Sequence, residues 1–237
     1  MRYLLFANAI TGSQVLKELC KMQKPEATVT FLNHHDSWKR LSYRFVTGKF
    51  TVEDRCRFLN NVPFYDYRTL NKNLLRRIIQ EYDIQIGFIA TFSKIIPQKF
   101  VELFPRGLYN LHPSLLPAHA GVHPFFWVIY HNEQYSGTTC HLATRDLDGG
   151  DILMQTRYKI NGFDSRALYD RYCQDCRKII GEVIKNYDNL TPVKQNSQSV
   201  SFDPRRIPSD EALKTIATSP QIRKHINKAL KFYNRSI

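Results

Sequence analysis

The sequence predicts an α/β fold: a mostly parallel sheet between helices over residues 1–190, then a β-hairpin or extended arm and a last helix over 191–237. Three observations predict it. Residues 3–7 and 84–90 are short, continuously apolar runs, the mark of strands buried on both faces of a parallel sheet. Segments with apolar residues at helical spacing lie between and after them. The two patterns alternate along the chain, as βαβ units do.

Taken in order, residues 3–7 read as the first strand. Thr11-Gly12-Ser13 punctuates, and Val15, Leu16 and Leu19 then mark one face of a helix. Residues 28–32 read as the second strand. The loop at 8–13 lacks a G-x-G-x-x-G fingerprint, which argues against dinucleotide binding. Residues 33–69 give no clear period. They hold His34-His35-Asp36, Lys39-Arg40 and the aromatics Trp38, Tyr43 and Phe45. Neighbouring strand residues point to opposite faces and no third ligand stands at good spacing, so no metal site is expected there. Aromatics among basic residues suit either a base-stacking surface or ordinary core with a solvated face, and the second is preferred. Residues 70–82 read as a helix with Leu74, Leu75, Ile78 and Ile79 inward. Residues 84–90 follow as a strand, and Pro97 suits the first position of the next helix. Residues 108–111 read as a strand and 124–131 as a helix with an aromatic face. Residues 138–144 alternate like a half-exposed strand, and 152–160 form another. Asp164 or Ser165 caps a long helix carrying Leu168, Tyr172, Ile179, Val183 and Tyr187. Beyond 190 the composition turns polar. Residues 191–202 read as the arm, 203–208 as a turn, and Ser209-Asp210 opens a helix ending near Tyr233.

Lys and Arg number 34 against 21 Asp and Glu, a formal net charge of +13, so anionic partners are favoured over cationic ones. The five cysteines, Cys20, Cys56, Cys140, Cys173 and Cys176, are odd in number and scattered, which excludes a disulfide framework. No second pair completes a zinc site with Cys173-x-x-Cys176, which is read as structural. No apolar run reaches the ~18 residues that a membrane span needs, and the apolar start is too short for a signal peptide. A cytoplasmic protein without membrane association is expected.

One stretch carries chemistry. In Asn110-Leu111-His112-Pro113-Ser114-Leu115-Leu116-Pro117, Asn110 and His112 lie two apart on a strand and leave the same face. Further on, Asp148 stands in Asp146-Leu147-Asp148-Gly149-Gly150-Asp151, a turn whose glycines permit positive φ. A histidine can take a proton near neutral pH, a carboxylate can support its cation, and an asparagine amide can donate to a developing oxyanion. By spacing alone, a histidine satisfied in a turn beside an acidic loop facing water fits as well.

Several blocks in order resolve that choice. Asn110 to Pro117, Pro124-Phe125-Phe126-Trp127-Val128-Ile129, Ser136-Gly137-Thr138-Thr139 and Leu147 to Asp151 resemble the formyltransferase family that uses 10-formyltetrahydrofolate, strongly over residues 84–160. The resemblance implies a Rossmann-like formyltransferase core, with Asn110, His112 and Asp148 as the catalytic trio. It implies a pterin site walled by Phe92, Lys94 and Ile95 on one side and by Ala143 and Arg145 on the other, although Phe92 and Ile95 could instead cap the core. The cosubstrate implied is 10-formyltetrahydrofolate, with no metal.

Within the family, methionyl-tRNA formyltransferases carry a C-terminal barrel for which the tail is expected to be too short. Glycinamide ribonucleotide transformylases have a Gly-rich phosphate loop that residues 8–13 do not reproduce. Formyltetrahydrofolate hydrolases carry an extra N-terminal domain, for which no room is expected. The chain is most similar to sugar-nucleotide N-formyltransferases, through residues 124–129 and Arg205-Arg206-Ile207-Pro208. That similarity implies a nucleotide-linked amino sugar as substrate, with dTDP-4-amino-4,6-dideoxyglucose preferred, for surface polysaccharide such as O-antigen or lipopolysaccharide. It also implies a homodimer paired through 191–202. A different amine, on methionyl-tRNA or a glycinamide ribonucleotide, is the alternative. A non-catalytic module binding nucleic acid is the third reading, disfavoured by the intact trio. His119-Ala120 departs from the aromatic-Arg pair common in the family, which puts any substrate contact of that Arg in doubt.

Overall fold

The computed structural model describes residues 1–32, 38–121, 124–131, 133–160 and 165–195. In chain order these form β1 (Tyr3–Phe6), α1 (Ala9–Leu19), β2 (Ala27–Thr30), α2 (Trp38–Thr47), α3 (Val52–Asp54) running into a π-helical stretch (Arg55–Asn60), and β3 (Phe64–Asp66). Then come α4 (Lys72–Glu81), β4 (Ile86–Ile89), α5 (Gln98–Val101), β5 (Leu108–His112), α6 (Pro124–Tyr130), β6 (Tyr135–Leu142), β7 (Ile152–Lys159), α7 (Ser165–Asn186) and a 3-10 turn (Tyr187–Asn189).

The seven strands form one sheet in the order β3-β2-β1-β4-β5-β6-β7. β3 through β5 are parallel along that order, and β6 and β7 are antiparallel additions. The order turns back between β1 and β4, and such sheets bind ligands beyond the carboxyl ends of the strands at that point. Because successive strand residues face opposite ways, Tyr3 and Leu5 of β1 join a core with Val15, Leu16 and Leu19 of α1 and Tyr172, Cys176 and Ile179 of α7. Leu4 and Phe6 join the opposite core with Leu75 and Ile78 of α4 and Phe100 of α5. The predicted α/β architecture is therefore the observed one.

Several local expectations change. Thr11-Gly12-Ser13 does not interrupt the chain but lies inside α1. Gly12 is there because α1 crosses close to β1: a Cβ would come within 2.9 Å of the Ala7 Cβ. Pro97 is the residue before α5 and not its first, with its carbonyl accepting from Phe100 N at 2.8 Å. The strand expected at 138–144 begins at Tyr135, and Ser136 through His141 are buried on both faces. It is an inner strand, with β7 beyond it and residues 114–116 bonded to Thr139. Residues 38–66, without a clear period in sequence, form two helices, the π-helical stretch and the edge strand β3. Thr51 and Asp54 form a reciprocal capping box at α3.

His34-His35-Asp36, the Asp164 cap, the arm beyond 195, the turn at 203–208 and the final helix lie outside the described residues. Residues 191–195 run beside the start of β7, where Val193 and Ile152 exchange both backbone hydrogen bonds at 2.8 Å.

Candidate active site

β5 ends at the carboxyl edge of the sheet, with β4 parallel on one side and β6 antiparallel on the other. Asn110 lies in register with Ile89 of β4 and His141 of β6, and His112 with Thr139. The loop joining β6 to β7 then returns over this edge carrying Asp148. Asp148 sits at φ +52°, a left-handed conformation that L residues hold only when their surroundings enforce it. Gly150 lets the loop lie flat, since a Cβ there would meet the Leu142 carbonyl oxygen at 1.9 Å.

The three side chains singled out in the sequence meet here. Asn110 Nδ2 donates to Asp148 Oδ1 at 3.1 Å, and His112 Nδ1 stands 3.4 Å from Asp148 Oδ2. The Gly121 N–H donates to the same Oδ2 at 2.8 Å. His112 and Asp148 are buried, 4% and 8% exposed, so their interaction is little screened by water.

A fourth side chain, His141, was not singled out. Its Nε2 lies 3.4 Å from Asp148 Oδ1 and 3.2 Å from Asn110 Nδ2, and its Nδ1 lies 3.1 Å from the Leu142 carbonyl. Since that carbonyl can only accept, Nδ1 carries the proton and Nε2 accepts from Asn110. Both Asn110 N–H groups are thus engaged in this state. The available signal was register: the alternating stretch 138–144 offers His141 to whatever pairs with it.

His112 Nε2 is 2.9 Å from the carbonyl oxygen of His119, itself at φ +58°. Each ring nitrogen of His112 therefore faces an acceptor, so the imidazolium would have both N–H groups satisfied. Burial works the other way and lowers the His112 pKa below that of an ordinary histidine, against the support of Asp148 and the His119 carbonyl. Burial by itself would raise Asp148. The charge of a protonated His112, the hydrogen bond and charge that His141 supplies when its Nε2 carries a proton, and the Gly121 N–H outweigh it and hold the carboxyl down to about 2. At neutral pH the site holds a carboxylate and a neutral imidazole, and it accepts a proton at the imidazole without leaving an unpaired N–H.

The residues expected at the cosubstrate wall divide. Phe92 is half-buried and caps a core, stacked on Phe31 at 5.3 Å and edge-on to Tyr67 and Phe6 at 5.1 and 5.6 Å. Ile95 does not cap anything: it is 74% exposed. Lys94 and Arg145 are exposed, and no hydrogen bond or ion pair among the described residues joins either to the Asp148 cluster. Ala143 is half-buried, its N–H donating to the Leu108 carbonyl at 2.8 Å, which seats it beside β5. The loop after β4 is tied to the loop after β1 by Asn8 Nδ2 donating to Ser93 Oγ at 2.9 Å, so both border the same edge of the sheet.

Among the described residues no group of three or more His, Cys, Asp or Glu is arranged to hold a metal ion, and no helix is long and apolar enough to cross a membrane. All five cysteines are free thiols, and burial pushes Cys56 and Cys173 up to about 12.

Residues 1–184 match the family described as Formyl transferase. A methionyl-tRNA formyltransferase of Pseudothermotoga lettingae is 30% identical over 126 residues, 53% of this chain and 42% of the relative. The chain spans about half or less of the length of the curated relatives it matches. Among solved structures, glycinamide ribonucleotide transformylase 1 of Symbiobacterium toebii superposes with a TM-score of 0.57 at 18% identity, covering 82% of this chain and 94% of that one. An N-formyltransferase of Helicobacter canadensis, in complex with folinic acid and dTDP-3-aminofucose, superposes with a TM-score of 0.56 at 24% identity, covering 85% and 70%.

Proposed function

The chain belongs to the formyl transferase family, and on that premise we propose that it moves a formyl group from 10-formyltetrahydrofolate to an amine at the edge of β5. The observation that carries this reading is the Asp148 carboxylate, which accepts from Asn110 Nδ2 and the Gly121 N–H and stands 3.4 Å from a ring nitrogen of both His112 and His141.

The chemistry asks for what that cluster offers. The lone pair of a neutral amine attacks the formyl carbon, giving a tetrahedral carbon with an oxyanion and a cationic nitrogen. His112, neutral beforehand, takes the nitrogen's proton directly or through a water. The carbon–nitrogen bond to the folate then breaks, and the proton returns to the departing folate nitrogen. Asp148 stabilises the imidazolium between these steps, as a carboxylate beside a catalytic histidine does. Asn110 releases one of its two present partners to donate to the oxyanion. Neither a metal nor a covalent enzyme intermediate is required. The folate is taken to lie between the Phe92, Lys94 and Ile95 loop and the Ala143 to Arg145 segment.

For the amine we favour a nucleotide-linked amino sugar, with dTDP-4-amino-4,6-dideoxyglucose as the first compound to try. Residues 124–129 and Arg205-Arg206-Ile207-Pro208 resemble sugar-nucleotide N-formyltransferases, and the Helicobacter canadensis structure carries such a sugar nucleotide. A second reading, methionyl-tRNA, is favoured by the names of the curated relatives and by the +13 charge. Pairing of two chains through 191–202 and a cytoplasmic location belong to the same proposal. Light scattering that finds only monomer at micromolar concentration removes the pairing.

The deciding experiment is formyl transfer from 10-formyltetrahydrofolate to a panel of amino-sugar nucleotides beside charged initiator tRNA. Turnover with a sugar nucleotide, and weak, shallowly salt-dependent RNA binding, is expected. Tight RNA binding that falls steeply with salt selects the tRNA reading, since counterion release scales with the phosphates neutralised. No transfer to any amine rejects both.

A further inference from the structure

Past the family match, which ends at residue 184, the chain comes back to the site. Residues 191–195 run antiparallel to the start of β7. The Val193–Ile152 pairing puts Gln195 opposite Gly150, in the Asp148 loop. Gln195 Nε2 donates to the Asp148 carbonyl and to the Gly150 carbonyl, each at 2.7 Å. A primary amide suits this place, because one nitrogen with two hydrogens meets two acceptors.

We infer that Gln195 is a positioning residue, which clasps the backbone of the Asp148 loop and so keeps the carboxylate against His112. Asp148 has a positive φ, a conformation that relaxes unless its neighbours enforce it. Other bonds hold the ends of the loop: Leu142 N to the Asp151 carbonyl at 2.9 Å, and Gly149 N and Thr144 Oγ1 to the Asp146 carbonyl at 3.2 and 3.1 Å. Gln195 alone among the described residues bonds the main chain of Asp148 itself. Its role is indirect, through Asp148, and rests on the reading of the trio given above.

The test needs no substrate, so its outcome is separate from that of the functional reading. Gln195→Ala removes both donors. Gln195→Met keeps the length of the side chain and removes the donor without adding a charge. Lys194→Ala is the neighbouring control, and Asp148→Asn the reference. Two quantities are read on the free protein: amide hydrogen exchange across 146–151, and the NMR titration of the His112 ring. The groups facing that ring are Asp148, His141 and the carbonyl of His119, whose own ring pairs with Glu133 at 3.1 Å. Only the position of Asp148 is altered by the Gln195 variants. Both variants should speed exchange in the loop by roughly tenfold, for two lost hydrogen bonds. Both should move the His112 titration to lower pH, in the direction of Asp148→Asn, because the cation loses its carboxylate. Lys194→Ala should do neither. Should one Gln195 variant fail to fold by circular dichroism, the other carries the test. Faster exchange with an unmoved His112 titration makes Gln195 a structural clip and overturns the inference, as does an unchanged loop.

Discussion

The Asp148 cluster and the loop after β4 border the same edge of the sheet but are built in opposite ways. Around Asp148 every named polar group has a partner, and the side chains come from β5, β6 and the loop between β6 and β7. In the other, Phe92 and Ser93 are anchored, while the side chains of Lys94 and Ile95 stand in solvent. On the proposed reading the difference separates two roles. Proton transfer and oxyanion support need fixed distances before the substrate arrives, which a strand ladder supplies. A cosubstrate with ring systems to cover needs surface against them, and exposed apolar side chains gain their burial only when it binds.

This contrast can be broken experimentally, beginning where the effect is greatest. His112→Asn should lower kcat by roughly 100- to 10,000-fold while leaving the affinity for 5-formyltetrahydrofolate, read by calorimetry, within a few-fold of wild type. A near-normal kcat would mean that the cluster is a structural hub and not a site of chemistry. Asp148→Asn should be comparably severe, with thermal melts needed beside it, since its carboxylate also receives the Gly121 N–H.

Asn110→Ala should cost roughly 100- to 1,000-fold in kcat, with little change in KM. His141→Ala should cost less and sharpen the picture. If Asn110 must release a partner to reach the oxyanion, removing the His141 acceptor frees one N–H, and kcat should fall by no more than about tenfold.

At the open loop the effect should be smaller and of another kind. Ile95→Ala removes an exposed side chain, so melting should be unchanged. KM for the folate should rise by roughly three- to tenfold, from lost apolar burial in the complex. An Ile95 variant that melts early with unchanged KM would reverse the assignment.

The pH dependence of stability separates the buried groups in a subtler way. His112 has a lowered pKa in the fold, so the unfolded chain takes up its proton first, and stability declines as pH falls below the ordinary histidine value of about 6.5. Asp148, held at about 2, adds stability that is full above the ordinary carboxylate range and lost as pH falls toward that value. Denaturant midpoints across pH should therefore fall on acidification in two windows. His112→Asn should flatten the upper window and Asp148→Asn the lower. No change in Ile95→Ala is expected at either.

Legibility in the sequence followed the range of each interaction. The strands at 3–7, 84–90 and 108–111 and the helix at 70–82 were readable because hydrophobic period is local. Asn110, His112 and Asp148 were readable because they stand in short blocks whose residue types and order are distinctive. Residues 38–66 were not, since α2 exposes Tyr43, Phe45 and Val46 and β3 is only three residues long, so neither shows a clean period. Gly12 looked like a break because a glycine that admits close packing and one that ends a helix are the same letter.

What the sequence determined by itself was the alternation of elements and the identity of three polar side chains, an imidazole, a carboxylate and an amide, that stand in distinctive blocks. Tertiary structure alone decided which groups complete them. His141 reaches Asn110 through the register of β5 against β6, and Gln195 reaches Asp148 only after a 22-residue helix has carried the chain back across the sheet. Both depend on pairings between segments distant along the chain, and local pattern holds no record of the residue that a distant strand will bring alongside.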